Sequence, residues 1–241
     1  MCVIFFAYNQ HPEYPFILLA NRDEFYARPT ERADFWQDFP EIFAGRDLVH
    51  GGTWLGITTR GRFAAVTNYR DPAAATGKFS RGNLVGDFLK TGDSVENYLS
   101  KIKLRSRDFS GFNLLVGEIN AQNQTLGYYS NREDKIKILG DGVYGLSNHL
   151  LDTPWQKVTG GKGRLIEILQ NEPLRKDKLF ELLSDRALAA DTGLPHTGIG
   201  YEREKLLSAI FIETPVYGTR SSSVILVDKI FNISLTEKVY R

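Results

Sequence analysis

The chain has 241 residues, of which 42% are hydrophobic and 24% are charged, and its formal net charge is +1. This size and composition are typical of one globular domain, here 1–241, with a core of its own. The near balance of charge excludes a strong field that would draw the chain to nucleic acid or to an anionic membrane. One cysteine excludes an internal disulfide and no apolar run is long enough to span a bilayer, which favours a cytoplasmic protein without integral membrane association.

Strand-like runs dominate the first part of the chain. Residues 3–8 and 16–20 are apolar and rich in aromatic and β-branched side chains, and a proline-containing turn joins them. They predict two neighbouring buried strands. Residues 51–58 and 62–68 flank a short turn at Arg60-Gly61 and predict a hairpin.

Helices and strands then follow in blocks. Apolar residues at helical spacing predict a helix through 84–89, with Ser80 as its N-cap, and a second helix over 94–105. Further strands are predicted at 112–119, 125–129, 135–139 and 143–146, helical segments around 165–169, 179–183 and 202–211, and a closing hairpin at 223–227 and 230–235. Strand blocks separated by helix pairs do not fit the strict alternation of a doubly wound fold. They predict an α+β fold in which two antiparallel sheets stack face to face with helices outside.

Cys2 is the first candidate for chemistry. Initiator methionine is normally removed when a small residue follows it, and removal of Met1 would leave Cys2 with a free α-amine beside its thiol. An α-amine with a pKa of about 8 is a base well matched to neutral pH, so one residue would supply both nucleophile and base. The alternative is that Cys2 is a small buried hydrophobe at the start of a strand.

Polar and charged side chains follow the second predicted strand as Asn21-Arg22-Asp23-Glu24. An arginine at that place can stabilise a thiolate, and an aspartate can hold an α-ammonium group. The alternative is that Arg22 and Asp23 pair with each other and simply finish the strand.

Three further polar residues lie at predicted strand ends. Asn68 and Asn148 each follow an apolar run, where a carboxamide can donate to a developing oxyanion, although asparagine is also a common turn residue. Arg220 lies in a hydroxyl-rich segment before 223–227 and can orient a carboxylate or an active-site loop. It equally fits a solvated edge.

No metal site is predicted from the sequence. The chain lacks HExxH, CxxC, a P-loop and a GxGxxG that follows a strand. His11, His50, His149 and His196 are scattered without the spacing of metal ligands. A nucleophile pair of Cys2 with His50 or His149 stays open.

These residues carry a resemblance to a known family. Asn21-Arg22-Asp23-Glu24 is the tetrapeptide after which the NRDE family, the transport and Golgi organisation protein 2 family, is named. The match covers almost the whole chain, in the segments 1–2, 51–56, 67–68, 81–85, 112–115, 146–148, 151–155 and 217–221. The family in turn is similar to N-terminal-nucleophile hydrolases of the penicillin V acylase and bile-salt hydrolase type, which implies a four-layer αββα sandwich.

The resemblance also implies a role for each candidate residue. Cys2 would be the nucleophile, Arg22 would lie beside the thiolate, and Asp23 would hold the amine, with Glu24 as the alternative for that role. Asn68 and Asn148 would serve the oxyanion and the amine, and Arg220 would close the site. The expected substrate-binding residues are Glu24, Gly52 and Trp54.

Two functions compete on this basis. The first is a cysteine amidohydrolase that cleaves a non-peptide C–N amide bond of a small or acylated, possibly hydrophobic substrate and needs no cofactor. The second follows from the family's association with haem trafficking and the secretory pathway, and is a non-catalytic carrier of haem or lipid with an apolar groove at Trp36, Phe39 or Trp54. A vestigial enzyme that acts as an interaction module is a third reading.

Overall fold

Two antiparallel sheets form the centre of the computed structural model, which describes residues 2–74, 76–171 and 173–241. In chain order the strands are β1 (Cys2–Tyr8), β2 (Phe16–Phe25), β3 (Thr30–Phe35), β4 (Ile42–Asp47), β5 (Leu55–Thr58), β6 (Arg62–Asn68), β7 (Phe112–Ile119), β8 (Gln124–Ser130), β9 (Lys135–Ile138), β10 (Gly142–Leu146), β11 (Tyr217–Val227) and β12 (Ile233–Val239). The helices are α1 (Gly82–Lys90), α2 (Val95–Leu104), α3 (Gln156–Leu169), α4 (Lys176–Leu183) and α5 (Tyr201–Leu206).

The two sheets differ in how the chain builds them. The seven-stranded sheet runs from β3 to β9 in chain order, so each strand pairs with its sequence neighbour. The five-stranded sheet has the order β10-β1-β2-β11-β12, so it joins the first, middle and last parts of the chain. Every pairing in both sheets is antiparallel.

Three apolar layers hold the elements together. One layer lies between the two sheets and contains Phe6, Phe16, Phe63 and Tyr128 among its buried side chains. A second layer packs α1 and α2 against the seven-stranded sheet, and a third packs α3 and α4 against the five-stranded sheet. The inner strands such as β1 and β7 read as nearly continuous apolar runs because both of their faces are covered, whereas the edge strands β3 and β12 are mostly polar and partly exposed. The order helix, sheet, sheet, helix is the predicted αββα sandwich.

The second strand is longer than its apolar run predicts. β2 continues to Phe25, so Asn21-Arg22-Asp23-Glu24 lies inside the strand and not after it. Both neighbours extend alongside these polar residues, since Cys2 of β1 pairs with Arg22 and Thr219 of β11 pairs with Asp23. Backbone pairing on both sides keeps the segment extended whatever the polarity of its side chains.

Other predicted boundaries were wrong for similar reasons. The helix predicted at 202–211 ends at Leu206, because the following apolar segment bonds instead to distant backbone, as in the 2.7 Å bond from the Phe211 N–H to the Asp185 carbonyl. Ser80 does not cap α1, whose N-cap is Arg81, although the Ser80 hydroxyl accepts from the Gly82 N–H at 3.3 Å.

Two predicted strands begin at other residues. The closing hairpin turns through 228–232, where the Asp228 carboxylate accepts the N–H groups of Ile230 and Asn232 at 2.9 Å, and β11 begins at Tyr217. The first strand of the predicted 51–68 hairpin, β5, begins only at Leu55.

Candidate functional site

Cys2 lies at the edge of a cleft that both sheets line. It is the first residue of β1 and is paired in register with Arg22 of β2. The cleft has a volume of about 370 Å³ and will be called the Cys2 cleft; its lining residues are Cys2, Arg22, Asp23, Glu24, Arg28, Asp47, His50, Thr53, Trp54, Val66, Asn68, 76–82 and Ser110. The register of two neighbouring strands therefore brings the predicted nucleophile and the predicted guanidinium together.

Arg22 is a buried arginine, only 6% exposed. Its Nη2 donates to the Thr30 hydroxyl at 3.1 Å, and its guanidinium lies 4.2 Å from the centre of the Trp54 ring. Burial lowers the pKa of Arg22, but an arginine remains charged at neutral pH. The side chain thus places a fixed positive charge beside the Cys2 thiol, held by stacking and one hydrogen bond.

Asp23 lines the cleft but is only 2% exposed. Its Oδ1 accepts from the Thr219 hydroxyl at 2.7 Å, and burial raises the pKa of its carboxyl group. A buried lysine of α3, Lys157, opposes that shift through its charge. The Lys157 ammonium donates to the Leu207 carbonyl at 2.9 Å, and burial lowers its pKa to about 8.

The Cys2 thiol is half-buried, and burial raises its pKa. The charge of Asp23 adds to this effect and the charge of Arg22 opposes it. The net direction is upward, so at neutral pH the thiol keeps its proton in this environment. Nucleophilic attack by Cys2 therefore requires a base that takes the proton as the reaction proceeds.

The two predicted asparagines have different positions. Asn68 ends β6 and lines the cleft, as its place at a strand end predicts. Asn148 is 1% exposed, does not line the cleft, and donates through Nδ2 to the Asn68 carbonyl at 3.0 Å. Its neighbour Ser147 donates to the Cys2 carbonyl at 3.4 Å. The segment after β10 thus supports the backbone of both Cys2 and Asn68.

Arg220 lies behind the cleft lining and not in it. It occupies an irregularity of β11, where the pairing with β2 shifts register between Thr219 and Ser221. Its guanidinium donates to the carbonyls of Arg28 and Arg241, and its Nη1 is 3.5 Å from the Thr30 hydroxyl that Arg22 also reaches. Arg220 therefore supports the turn that leads into β3, and it is linked to Arg22 through the Thr30 hydroxyl.

The three predicted substrate-binding residues are also near the cleft. Glu24 and Trp54 line it. Gly52 does not, but it packs against the start of α1 so closely that a Cβ at this position would lie 2.6 Å from the Gly82 carbonyl carbon. Any other residue at 52 would push α1 and its cleft-lining residues outward.

Several cleft residues have no role in the sequence-based predictions. Arg81 precedes α1 and donates to the Gly111 carbonyl at 3.1 Å. Arg28 and Asp47 form an ion pair at 2.6 Å. The signal for Arg81 was present, since it opens one of the segments that carry the family resemblance. The signal for Lys157 was absent, because a single lysine in a helix is ordinarily a surface residue.

Neither of the histidines left open as a partner of Cys2, His50 and His149, has the geometry of a buried base. His50 lines the cleft but is exposed. His149 does not line it, and its two ring nitrogens contact the Tyr69 hydroxyl at 2.7 Å and the Thr153 hydroxyl at 2.8 Å. Within the described residues neither histidine is therefore positioned as the base of a Cys–His pair.

The lining of the Cys2 cleft does not fit a haem. Seven of its nineteen lining residues are charged, whereas a haem is held mainly by apolar walls; Cys2 and His50 are the lining residues of the type that ligates haem iron. Of the three aromatic residues expected to form an apolar groove, Trp36 is buried with its indole N–H on the Ala44 carbonyl at 3.1 Å, and the Trp54 ring is covered by Arg22. Phe39 is 38% exposed, with the Lys90 ammonium 4.5 Å from its ring centre. Across 2–74, 76–171 and 173–241, no group of three or more His, Cys, Asp or Glu side chains could hold a metal ion. No helix in the described part of the chain combines the length and apolarity needed to cross a membrane.

Comparison with known proteins gives both a family and a fold. The sequence model of the family Transport and Golgi organisation 2 matches residues 1–241. The Transport and Golgi organization protein 2 homolog of Homo sapiens is 40% identical over 255 residues, which cover 99% of this chain and 92% of that protein. Transport and Golgi organization protein 2 of Drosophila melanogaster is 30% identical over 253 residues, which cover 95% of this chain and 88% of that protein.

One solved structure carries the comparison of folds. The N-acylethanolamine-hydrolyzing acid amidase ortholog of Caenorhabditis elegans matches with a TM-score of 0.52 and 10% sequence identity, over 100% of both chains. At that identity the likeness concerns the fold alone. It confirms the predicted stacked-sheet fold of the N-terminal-nucleophile hydrolase type.

Proposed function

The chain belongs to the Transport and Golgi organisation 2 family, and from that premise we propose that it is a cysteine amidohydrolase of the N-terminal-nucleophile type. Its substrate is a small, acylated molecule with a linear amide C–N bond. The observation that carries the proposal is the register pairing of Cys2 with Arg22 at a cleft that Asp23 and Asn68 also line. A nucleophile, a fixed cation, a carboxylate and a carboxamide are the groups that acyl transfer requires.

Removal of Met1 precedes catalysis and frees the α-amine of Cys2. The amine takes the thiol proton as the sulfur attacks the amide carbonyl, because the thiol does not ionise by itself in this environment. Arg22 stabilises the developing thiolate, and the Asn68 carboxamide donates to the tetrahedral oxyanion. Asp23 holds the α-ammonium in place.

Collapse of the tetrahedral intermediate breaks the C–N bond. The α-ammonium gives its proton to the departing nitrogen, and the product amine leaves an acyl-thioester on Cys2. Water, deprotonated by the same amine, attacks the thioester and releases a carboxylic acid and the free thiol. One base thus serves both halves of the cycle, with no cofactor.

The substrate class follows from the size and the neighbours of the site. A volume of about 370 Å³ suits a small molecule and is too small for a folded partner. The C. elegans protein of the same fold hydrolyses N-acylethanolamines, as its name states. Amides that join a short acyl chain to a small amine are therefore the first compounds to assay.

The test combines the chemical state of Cys2 with trapping of the acyl group. Intact-protein mass spectrometry should show that Met1 has been lost, and brief incubation with hexanoyl p-nitroanilide should add one hexanoyl group that hydroxylamine removes. Cys2→Ala should abolish both adduct and turnover, whereas His50→Gln should leave them unchanged. Turnover that persists in Cys2→Ala, or full activity in protein that retains Met1, would contradict the mechanism.

A further inference from the structure

The Cys2 cleft contains more positive charge than its own carboxylates neutralise. Four cationic side chains line it, namely Arg22, Arg28, Lys78 and Arg81, against the carboxylates Asp23, Glu24 and Asp47. Arg28 is neutralised by Asp47, whose Oδ2 accepts from Nε at 2.8 Å and from Nη2 at 2.6 Å.

Asp23 and Glu24, the remaining carboxylates, form no ion pair with Arg22 or Arg81 among the described residues, although the charge of Glu24 acts on both guanidinium groups. Asp23 accepts from the Thr219 hydroxyl and is faced from the side of α3 by the charge of Lys157. Glu24 accepts the N–H of the next residue, Phe25, at 2.8 Å. Glu24 therefore offsets part of the charge of Arg22 and Arg81, but these two guanidinium groups together with the Lys78 ammonium still outnumber it in the cleft.

Arg22 and Arg81 reach the cleft from different layers of the sandwich. Arg22 belongs to β2 of the five-stranded sheet, whereas Arg81 precedes α1, which packs on the seven-stranded sheet. Arg22 donates to Thr30 and Arg81 donates to the Gly111 carbonyl, at 3.1 Å in each case. Each guanidinium carries five N–H donors, so both retain donors for a ligand.

The Cys2 thiol cannot supply the missing negative charge in the resting state. Burial raises its pKa, so it is neutral at neutral pH. Burying a guanidinium without an anion is costly, and the cost is removed when an oxyanion binds with two parallel N–H···O bonds. The cleft is thus built to receive an anion from outside the protein.

We propose that the substrate carries an acidic group, a carboxylate, sulfonate or phosphate, that binds between Arg22 and Arg81, and that Arg81 gives the enzyme its selectivity for such substrates. That the bound acid is a substrate, and not only a ligand, rests on the proposed function. The acidic group occupies the cationic side of the cleft while the amide carbonyl lies at Cys2. Uncharged amides of the same size bring no additional anion to the two guanidinium groups and bind more weakly.

A binding experiment without catalysis tests the site. Titration calorimetry on Cys2→Ala compares N-hexanoylglycine with its neutral amide, N-hexanoylglycinamide. We expect the acid to bind about tenfold or more tightly, because a charge-assisted hydrogen bond is worth about one such factor. N-hexanoyltaurine and N-hexanoylphosphoethanolamine then identify which acid binds best.

Variants at Arg81 test whether this residue is the source of the preference for the acid over the amide. In the Cys2→Ala background, Arg81→Met should abolish the preference for the acid and Arg81→Lys should keep part of it. The control Arg203→Met, an exposed arginine of α5 that does not line the cleft, should change nothing. If Arg81→Met fails to fold, the graded effect of Arg81→Lys and competition by inorganic phosphate test the same point.

The outcomes separate this inference from the proposed function. Equal binding of acid and amide, no binding of the acid at millimolar concentration, or an undiminished preference in Arg81→Met would overturn it. An Arg81-dependent preference in binding, together with no hydrolysis of any probe by the protein with Cys2 intact, would refute the hydrolase and leave the anion site standing. Hydrolysis of acid and amide with equal KM would refute the anion site and leave the hydrolase.

Discussion

Lys157 shows how one side chain outside the cleft can control the chemistry within it. It belongs to α3 and is 7% exposed. Burial raises the pKa of the Asp23 carboxyl group, and the nearby charge of Lys157 makes that rise smaller. In the proposed mechanism, Asp23 must be ionised to hold the α-ammonium of Cys2. The lysine is therefore a positioning residue, because it acts through Asp23 and touches no substrate.

Replacing Lys157 should change the pH profile more than the rate. In Lys157→Met the pKa of Asp23 should rise further, so Asp23 ionises only at a higher pH. The acid limb of the plot of kcat/KM against pH should therefore shift to higher pH. Lys162→Met removes an ammonium from the same helix that instead pairs with Asp152 at 2.7 Å, and should leave the limb in place. A uniform loss of rate at every pH in Lys157→Met would indicate a purely structural role.

At the scale of single elements, α3 is fitted to the sheet by a glycine. Gly161 faces β1, and a Cβ at this position would lie 2.1 Å from the Phe5 ring. Phe5 is fully buried in the layer between the five-stranded sheet and its helices, so the ring has little room to move. The helix approaches the strand closely because the side chain is missing.

Two neighbouring glycines of α3 should respond in opposite ways to alanine. Gly161→Ala should lower the free energy of unfolding by about 1–3 kcal/mol, because overpacking outweighs the gain in helix propensity. Gly160→Ala, with no atom within 4 Å of the added Cβ, should raise it by up to about 1 kcal/mol. Urea unfolding of both variants measures the difference, and a stabilised Gly161→Ala would show that α3 does not pack on Phe5 as described.

At the scale of the whole molecule, polar bonds join the two sheets at the end where the Cys2 cleft lies. The Tyr128 hydroxyl of β8 donates to Asn113 Oδ1 at 2.9 Å and accepts from the Leu151 N–H at 3.1 Å. Asn113 in turn donates to the Thr67 hydroxyl at 3.0 Å and to the His149 carbonyl at 2.8 Å. This network ties β6 and β7 to the segment after β10, which supports Cys2 and Asn68.

Removing the Tyr128 hydroxyl should therefore affect stability and activity together. Tyr128→Phe leaves the Leu151 N–H and the Asn113 oxygen without that partner, at a cost of about 1–3 kcal/mol in the free energy of unfolding, and should lower kcat. Tyr8→Phe removes the bond to the Gln124 carbonyl at the far end of β1, and should leave kcat unchanged. Equal effects of both variants on kcat would mean that the network does not position the site.

Local patterns in the sequence were enough to predict the stacked sheets and the neighbouring strands β1 and β2. Long apolar runs and helical spacing are such patterns, so 112–119 was predicted with its correct bounds, two antiparallel sheets with helices outside followed from the blocks, and Cys2 and Arg22 were singled out. The surroundings of Cys2 became visible only in the folded chain. It extended β2 through the polar tetrapeptide, placed Asn148 and Arg220 behind the cleft, and brought Lys157 and Arg81 to it. The physical reason is that periodicity is read within a few residues, whereas charge neighbours are set by strand register and layer packing between distant parts of the chain.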